Sequence, residues 1–286
     1  MTDSFGLAKF LKATGEIAKG AKAPSLFPVW QREILCARNP PKITCIHQEY
    51  EDSNNKKTLN LDQPNMVHRS FFFGPKEIES IKNHLPRHLR NSSTYEVLTS
   101  CLWKCRTIAF QLDPNEIVSL SCITSVRANR CMQLPDGFYG NSFIFPAVLS
   151  NVGLLCKNPL GYALELVKNC KNQLSEEYVK SVIDLLVISG KPRYAQGLNF
   201  LSVDVRNSGL AKVDFGWGNP VYAGPTGAFP YISIFARFKN SKAEDGIVFP
   251  IWLPEPVMQR FQDELMKLTG QQPIDFTMKP TIASTL

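Results

Sequence analysis

The histidines of this sequence are His47, His68, His84 and His88, and imidazole is the side chain best suited to move a proton near neutral pH. His84 and His88 share i,i+4 spacing, but Pro86 between them spoils a helix, so they read as surface histidines rather than a metal pair. The eight cysteines, Cys36, Cys45, Cys101, Cys105, Cys122, Cys131, Cys156 and Cys170, form no CxxC pair. Cys101 and Cys105 lie one helical turn apart without a histidine or second cysteine pair, which argues against zinc, and no metal site is expected. Two carboxylates stand out by context. Asp3 immediately precedes a helical pattern and can cap it. Asp214 opens the string Asp214-Phe215-Gly216-Trp217-Gly218, where two glycines flank an indole. Glycine there permits a tight turn or a close backbone approach, and Phe215 and Trp217 are large apolar anchors. On chemistry alone the string reads as a strand end packed into a core.

The elements that must position these groups follow from pattern and punctuation. Residues 4–19 carry Leu7, Phe10, Leu11, Thr14, Ile17 and Ala18 at helical spacing, closed by Gly20. Residues 21–41 hold four prolines around Trp30 and read as an extended connector. A short strand is expected at 43–50, an exposed polar loop at 51–60 and a strand at 67–73, with Pro75 opening a helix. Ser93-Thr94-Tyr95-Glu96 fits a capping box before an apolar helix to about Gln111. The β-branched content of residues 117–126 predicts a buried strand, delivering Arg127 and Arg130 at its end. Helices follow at 159–170 and 175–190, strands at 198–205, 231–238 and 247–253, and a helix from Pro254 to about Leu268. Strands and helices mix without strict alternation, which points to a layered α/β fold.

Composition sets the class. The 286 residues are 44% hydrophobic and 20% charged, the balance of a core-forming globular chain. No run approaches a membrane span, and Met1-Thr2-Asp3-Ser4 is no secretion signal, so a cytoplasmic protein with reduced thiols is expected. The net charge of +7 is spread over scattered lysines. That argues against a nucleic-acid surface but suits an anionic ligand.

The string at 214–218 resembles the DFGWG signature of the plant BAHD acyl-CoA-dependent acyltransferases. Further segments carry the same resemblance to the alcohol acyltransferase and benzyl alcohol O-benzoyltransferase-like branch: VHRSFFFGP at 67–75, STYEVLTSCLWKCR at 93–106, LPDGFYGN at 134–141 and NPLGYALELVK at 158–168. The resemblance implies a two-layer chloramphenicol-acetyltransferase-like α/β fold, a mixed sheet flanked by helices. It also implies direct acyl transfer from a coenzyme A thioester to a small alcohol, with no permanently bound cofactor and acyl-CoA as co-substrate. The chain is expected to act as a monomer, with neither nucleic acid nor membrane as partner. The implied organisation is residues 1–20 as a remnant of the first domain, 21–45 as crossover connector and 46–192 as the second domain. Residues 193–228 would return to the first domain with the DFGWG string, 229–270 would resume the second domain, and 271–286 would be a loose tail.

The resemblance also assigns residues. The family's base is the histidine of an HxxxD motif, and Met1 to Leu7 resembles the residues that end this motif, with Asp3 as its aspartate. None of the four histidines has an aspartate four residues later, and on this alignment the catalytic histidine falls ahead of Met1. The expectation is a chain lacking most of the first domain: an ester-forming enzyme if the sequence extends upstream, otherwise an inactive fragment that at most binds coenzyme A or a partner. Asp3 either pairs with Arg127 or simply caps its helix. Thr94, Arg127, Arg130 and Lys212 are candidates for coenzyme A contact, or plain surface residues. Tyr139, Gly140 and Asn141 either line the acyl-CoA tunnel or form a tight turn. Asp214 is a second motif acid in the family, yet its place beside two glycines favours a structural role, with an arginine as partner. Phe215, Gly216, Trp217 and Gly218 complete that structural motif, which would lock two domains together.

Overall fold

The computed structural model describes residues 2–50, 65–127, 132–190, 198–227, 232–240 and 242–270. In chain order the elements are α1 (Ser4–Ala18), β1 (Met66–Phe73), α2 (Pro75–Asn83), α3 (Thr94–Phe110), β2 (Ile117–Ser125), β3 (Phe143–Ile144) and β4 (Ala147–Asn151). They continue with α4 (Val152–Lys157), α5 (Leu160–Asn172), α6 (Glu176–Ile188), β5 (Asn199–Asp204), β6 (Ile232–Lys239), β7 (Asp245–Pro254) and α7 (Glu255–Thr269).

Helix α3 forms where its capping box places it. Ser93 Oγ accepts the Glu96 N–H at 3.4 Å, and the Glu96 carboxylate accepts the Ser93 N–H at 2.9 Å. The helix is apolar on nearly every side and is accordingly buried, with Leu98, Leu102 and Trp103 fully enclosed.

One seven-stranded sheet runs in the order β1-β7-β6-β5-β2-β3, with β4 also paired to β2. β5 is parallel to both β2 and β6, and the other pairings are antiparallel. Side chains alternate across each strand. Leu120 and Cys122 of β2, Phe200 of β5, Phe235 of β6 and Phe249 and Ile251 of β7 share one core with α3, α5 and α7. The opposite face of β2 and β5 is more polar: Asn199 Oδ1 accepts from Ser119 and Ser121 hydroxyls at 3.1 and 3.3 Å. The outcome is a helix layer on a mixed sheet, the two-layer α/β class expected.

Several local expectations change. Residues 43–50 are not a strand. Their backbone is held by helix α6 instead, because Ser181 Oγ accepts both the Thr44 and Cys45 N–H, at 2.9 and 3.0 Å. β3, β4 and α4 were not anticipated; Asn151 caps α4 by accepting the Gly153 N–H at 2.9 Å. β5, within the segment expected to return to another domain's sheet, instead occupies the middle of this one. The expected loop at 51–60 and tail at 271–286 lie outside the described residues. Among the described residues no helix is long and apolar enough to cross a membrane.

Lys104 illustrates how the helix layer is tied together. Its ammonium donates to the carbonyls of Leu155, Cys156 and Asn158 at 2.6 to 2.8 Å, closing the C-terminal end of α4 with a cation. Burial pushes its pKa down, yet three accepting carbonyls hold the proton. Lys104→Met is expected to lower unfolding stability by about 2 kcal/mol, since hydrogen bonds from a charged group contribute about 1.5–3 kcal/mol. A urea midpoint unchanged by the substitution would contradict this assignment.

Candidate functional site

Asp3 is buried and fully satisfied. Its Oδ1 accepts the Gly6 N–H at 2.9 Å, so it does cap α1. The same carboxylate takes the Arg127 guanidinium at 3.0 and 3.1 Å and both the N–H and the hydroxyl of Ser142 at 3.1 Å. The two readings of Asp3, cap and arginine partner, are therefore both true. Arg127, which ends the segment after β2, also donates to the carbonyls of Phe138 and Gly140 at 2.8 Å and lies over the Phe5 and Phe138 rings. Its charge is engaged by Asp3, which removes it from the set of residues facing an anionic ligand. Arg130 lies outside the described residues.

Tyr139 and Gly140 belong to the same assembly. Tyr139 stacks edge-on against Trp30 with ring centres 5.3 Å apart, and its N–H donates to Val29. Asn141 is exposed. These residues thus form a supported turn that seats the connector.

The string at 214–218 is a loop, not a strand end. Asp214 Oδ1 accepts the N–H groups of Gly216 and Gly218 at 2.7 and 2.9 Å, and Oδ2 takes Lys19 at 3.1 Å. The partner is a lysine rather than the arginine expected. Gly216 and Gly218 adopt φ of +108° and +96°, a backbone open to glycine at little strain. These turns throw Trp217 outward, where it is 94% exposed, so the expected indole anchor is not buried. The Gly216 N–H, then Lys19 and the Gly218 N–H, depress the Asp214 pKa below the ordinary carboxylate value.

A cavity of about 890 Å³ opens beside the N-terminus of α3. Thr94 and Ala211 line it, as do Arg206, Arg237, Lys239 and Val221. Two arginines there differ in kind. Arg206 is bound bidentately by Asp204 at 2.8 and 2.6 Å. Arg237 donates only to neutral acceptors, the Arg206 carbonyl and the Asn207 side chain, at 3.0 and 3.1 Å. Its charge is not met by a carboxylate among the described residues. An arginine held in position by neutral acceptors beside a helix N-terminus is suited to a phosphate or carboxylate. Lys212, by contrast, sits in the short turn Leu210–Lys212 and is exposed.

The histidines are not arranged around Asp3. His47 is buried, with Nε2 2.8 Å from Ser181 Oγ and Nδ1 3.3 Å from Glu49. Ser181 Oγ already accepts two backbone N–H groups, so its own proton goes to His47 Nε2. That leaves Nδ1–H to donate to Glu49, which also accepts the Tyr178 hydroxyl at 2.7 Å. Both ring nitrogens are engaged inside the protein. His84 ends α2, and His88 is an exposed side chain 4.0 Å from Glu165.

The family model described as Transferase family matches residues 1–268. The chain belongs to this family. It is 50% identical over 281 residues to the benzyl alcohol O-benzoyltransferase of Petunia hybrida, covering 96% of this chain and 61% of the relative. It is likewise 50% identical over 273 residues to alcohol acyltransferase 16 of Actinidia chinensis var. chinensis, covering 95% of this chain and 59% of that one. The chain therefore spans about three fifths of the length of these relatives. In three dimensions it is similar to F. sporotrichioides TRI101 crystallised with coenzyme A and T-2, with a TM-score of 0.69 at 14% identity, covering 93% of this chain and 64% of that one. Vinorine synthase gives 0.67 at 15% identity, covering 95% and 61%. These likenesses establish the acyltransferase fold that the signature string implies.

The site's polar residues in this Transferase family member fall into two sets. Asp3, Arg127, Asp214 and Lys19 are consumed in architecture. Arg237 and Thr94 face open space. Sequence reasoning named Thr94 but missed Arg237, whose only sequence signal is a cation on an alternating strand.

Two outcomes are expected. Asp3→Asn leaves the largely buried Arg127 guanidinium without its counter-charge and is expected to cost about 2 kcal/mol. Chemical denaturation of the two proteins measures this directly, and equal midpoints would refute the lock. For Asp214, a depressed native pKa means its stabilisation is fully present above the unfolded value near 4 and fades as pH falls through the lower native value. A ¹³C carboxyl titration should show Asp214 ionising below the other exposed aspartates, and Lys19→Met should narrow the difference. An ordinary titration midpoint for Asp214 would disprove it.

Proposed function

We propose that this chain serves acyl transfer from a coenzyme A thioester to a small alcohol, and that the cavity beside α3 receives the donor's phosphates. The observation that carries this reading is Arg237, fixed by two neutral acceptors and uncommitted to any described carboxylate, next to the Thr94 end of α3. Arg206 is paired with Asp204 and Lys239 lies 3.8 Å from Asp245, which also lines the cavity, so Arg237 supplies its unmatched charge; the cavity's size falls in the range of small-molecule sites. In the reaction the alcohol oxygen loses its proton to a base and attacks the thioester carbonyl carbon. The tetrahedral adduct then expels the coenzyme A thiolate, which takes up the proton; the products are ester and free thiol. The names of the petunia and Actinidia relatives favour an alcohol such as benzyl alcohol as acceptor and an acyl donor such as benzoyl-CoA. Acyl-CoA is the co-substrate, and nothing in this chemistry requires a resident cofactor.

A second reading is favoured by one observation. None of His47, His68, His84 and His88 is among the partners of Asp3, and His47 is tied at both nitrogens. A chain that binds coenzyme A without turning over would fit this arrangement.

Calorimetric titration with coenzyme A, together with an ester assay on benzoyl-CoA and benzyl alcohol, separates the readings. Arg237→Ala is expected to weaken coenzyme A binding about tenfold, the equivalent of one charge-assisted contact. Binding with turnover supports acyl transfer, and binding without turnover selects the second reading. A chain with no affinity for coenzyme A would contradict both.

A further inference from the structure

The stretch leading into α3 is an exposed basic segment. Residues 82–90 read KNHLPRHLR, and no aspartate or glutamate falls between Glu79 and Glu96. His84, Arg87, His88 and Arg90 are exposed, while Leu85 and Leu89 between them are buried in the core shared with α3. The leucines pin the segment, so the cations stay on its outer side. Arg90 donates to the carbonyls of Leu85 and Asn83 at 3.1 and 3.4 Å. Neither Arg87 nor Arg90 meets a carboxylate among the described residues.

Ser93 stands three residues after Arg90 and is exposed, whereas Ser92 is buried. Ser93 is thus the hydroxyl that the segment presents to solvent. Its Oγ accepts the Glu96 N–H across a long 3.4 Å, and its own proton meets no acceptor among the described residues. Protein kinases select substrates by charge pattern. An arginine fixed three residues ahead of an exposed serine is a pattern that a kinase with an acidic recognition pocket reads.

The next residue connects this serine to the cavity. Thr94 lines the 890 Å³ cavity together with Arg237. A phosphate on Ser93 carries a charge of roughly −1.5 to −2. The first turn of α3 tolerates it, because free N–H groups and the helix dipole favour an anion there. Lys171, 2.6 Å from the Glu96 carboxylate, adds a cation beside the same turn. At the cavity the effect is opposite. The tethered phosphate is the same chemical group that Arg237 is placed to receive, and it repels any further anion approaching the rim.

We propose that Ser93 is a phosphorylation site for a basophilic serine/threonine kinase, and that its phosphate closes the cavity beside α3 to the acyl-CoA donor. The closure rests on the reading given under Proposed function; the modification does not. In the modification step Ser93 Oγ bonds to the γ-phosphorus of ATP, the bond from that phosphorus to the departing ADP oxygen breaks, and the hydroxyl proton passes to the kinase's base.

The test incubates the intact chain with ATP and purified calcium/calmodulin-dependent protein kinase II, which selects a serine three residues after an arginine, and locates the phosphate by peptide mass spectrometry. Phosphate on Ser93 is expected, with incorporation about tenfold slower in Arg90→Gln. Ser93→Asn keeps a helix-capping side chain that accepts no phosphate. Calorimetric titration with coenzyme A should show binding about tenfold weaker for the phosphorylated chain and unchanged for kinase-treated Ser93→Asn. The helical circular dichroism should be the same before and after phosphorylation. No phosphate on Ser93, or incorporation indifferent to Arg90→Gln, overturns the site. Equal affinity in both states overturns the closure, as does a phosphorylated chain that has lost its helical signal. An unphosphorylated chain without affinity for coenzyme A sinks the reading under Proposed function and the closure with it, while the mapped phosphate still decides the site.

Discussion

The buried carboxylate of Asp3 sets the position of everything at the N-terminal end of the fold. A carboxylate taken out of water must have its acceptor sites filled. Here the donors come from three separate stretches: the first turn of α1, Arg127 past the end of β2, and Ser142 before β3. Arg127 extends the same network to the carbonyls of Phe138 and Gly140. Val29 then binds to that turn through Gly137 and Tyr139, which draws in the connector. The dependence on charge is a consequence of α1's inward face. Gly6, Ala8 and Gly15 bury few methylene groups, and each buried methylene contributes only about 0.8 kcal/mol. Hydrophobic burial cannot fix this helix, so an ion pair with three further backbone and side-chain donors to Asp3 does.

A second constraint is topological. β5 and β6 are parallel neighbours, and parallel neighbours require a long crossover. The usual solution is a helix. Here residues 205–231 make the connection, and their described part holds only the short turn Leu210–Lys212. A long irregular segment needs its own internal hydrogen bonds. Asp214 supplies them by accepting from Gly216 and Gly218, and Lys19 then anchors the loop to the end of α1. The signature string is therefore the crossover's fastening. The same bonds explain why its acid is unsuited to proton abstraction: donors that depress a carboxylate's pKa make it a weaker base still.

How much of this the sequence reveals depends on the range of the interaction. α3 was readable because its capping box and its apolar residues lie within one short stretch. α1, α5, α6 and α7 followed from period and caps in the same way. β3 spans two residues and β4 abuts α4, so neither offers a period to read. Residues 43–50 have strand-like composition, yet the N–H groups of Thr44 and Cys45 go to Ser181, a partner more than a hundred residues away that no local pattern announces. The place of β5 in this sheet is equally non-local. At the site, Asp3 and Arg127 could be paired only through the family resemblance, since 124 residues separate them. Trp217 was misjudged because large aromatic residues usually bury, whereas two left-handed glycines here override that tendency.

The distribution of committed and uncommitted groups says what the described fold can do chemically. Asp3 receives four donors, Asp214 two backbone N–H groups and an ammonium, and His47 a hydroxyl on one side and a carboxylate on the other. A base for an alcohol needs a lone pair free to accept at the moment of attack. Asp3 and His47 have none, and the donors on Asp214 depress its pKa and weaken it as a base, so each holds structure in place rather than moving protons. Arg237 is in the opposite condition, with its outer nitrogens oriented by neutral acceptors and its charge left unneutralised by any described carboxylate. Because Arg237 is exposed, water hydrates its charge and leaves it open to an incoming anion. The negative charges of Asp3 and Asp214 therefore go into holding the fold together, while the positive charge of Arg237 stays open to solvent.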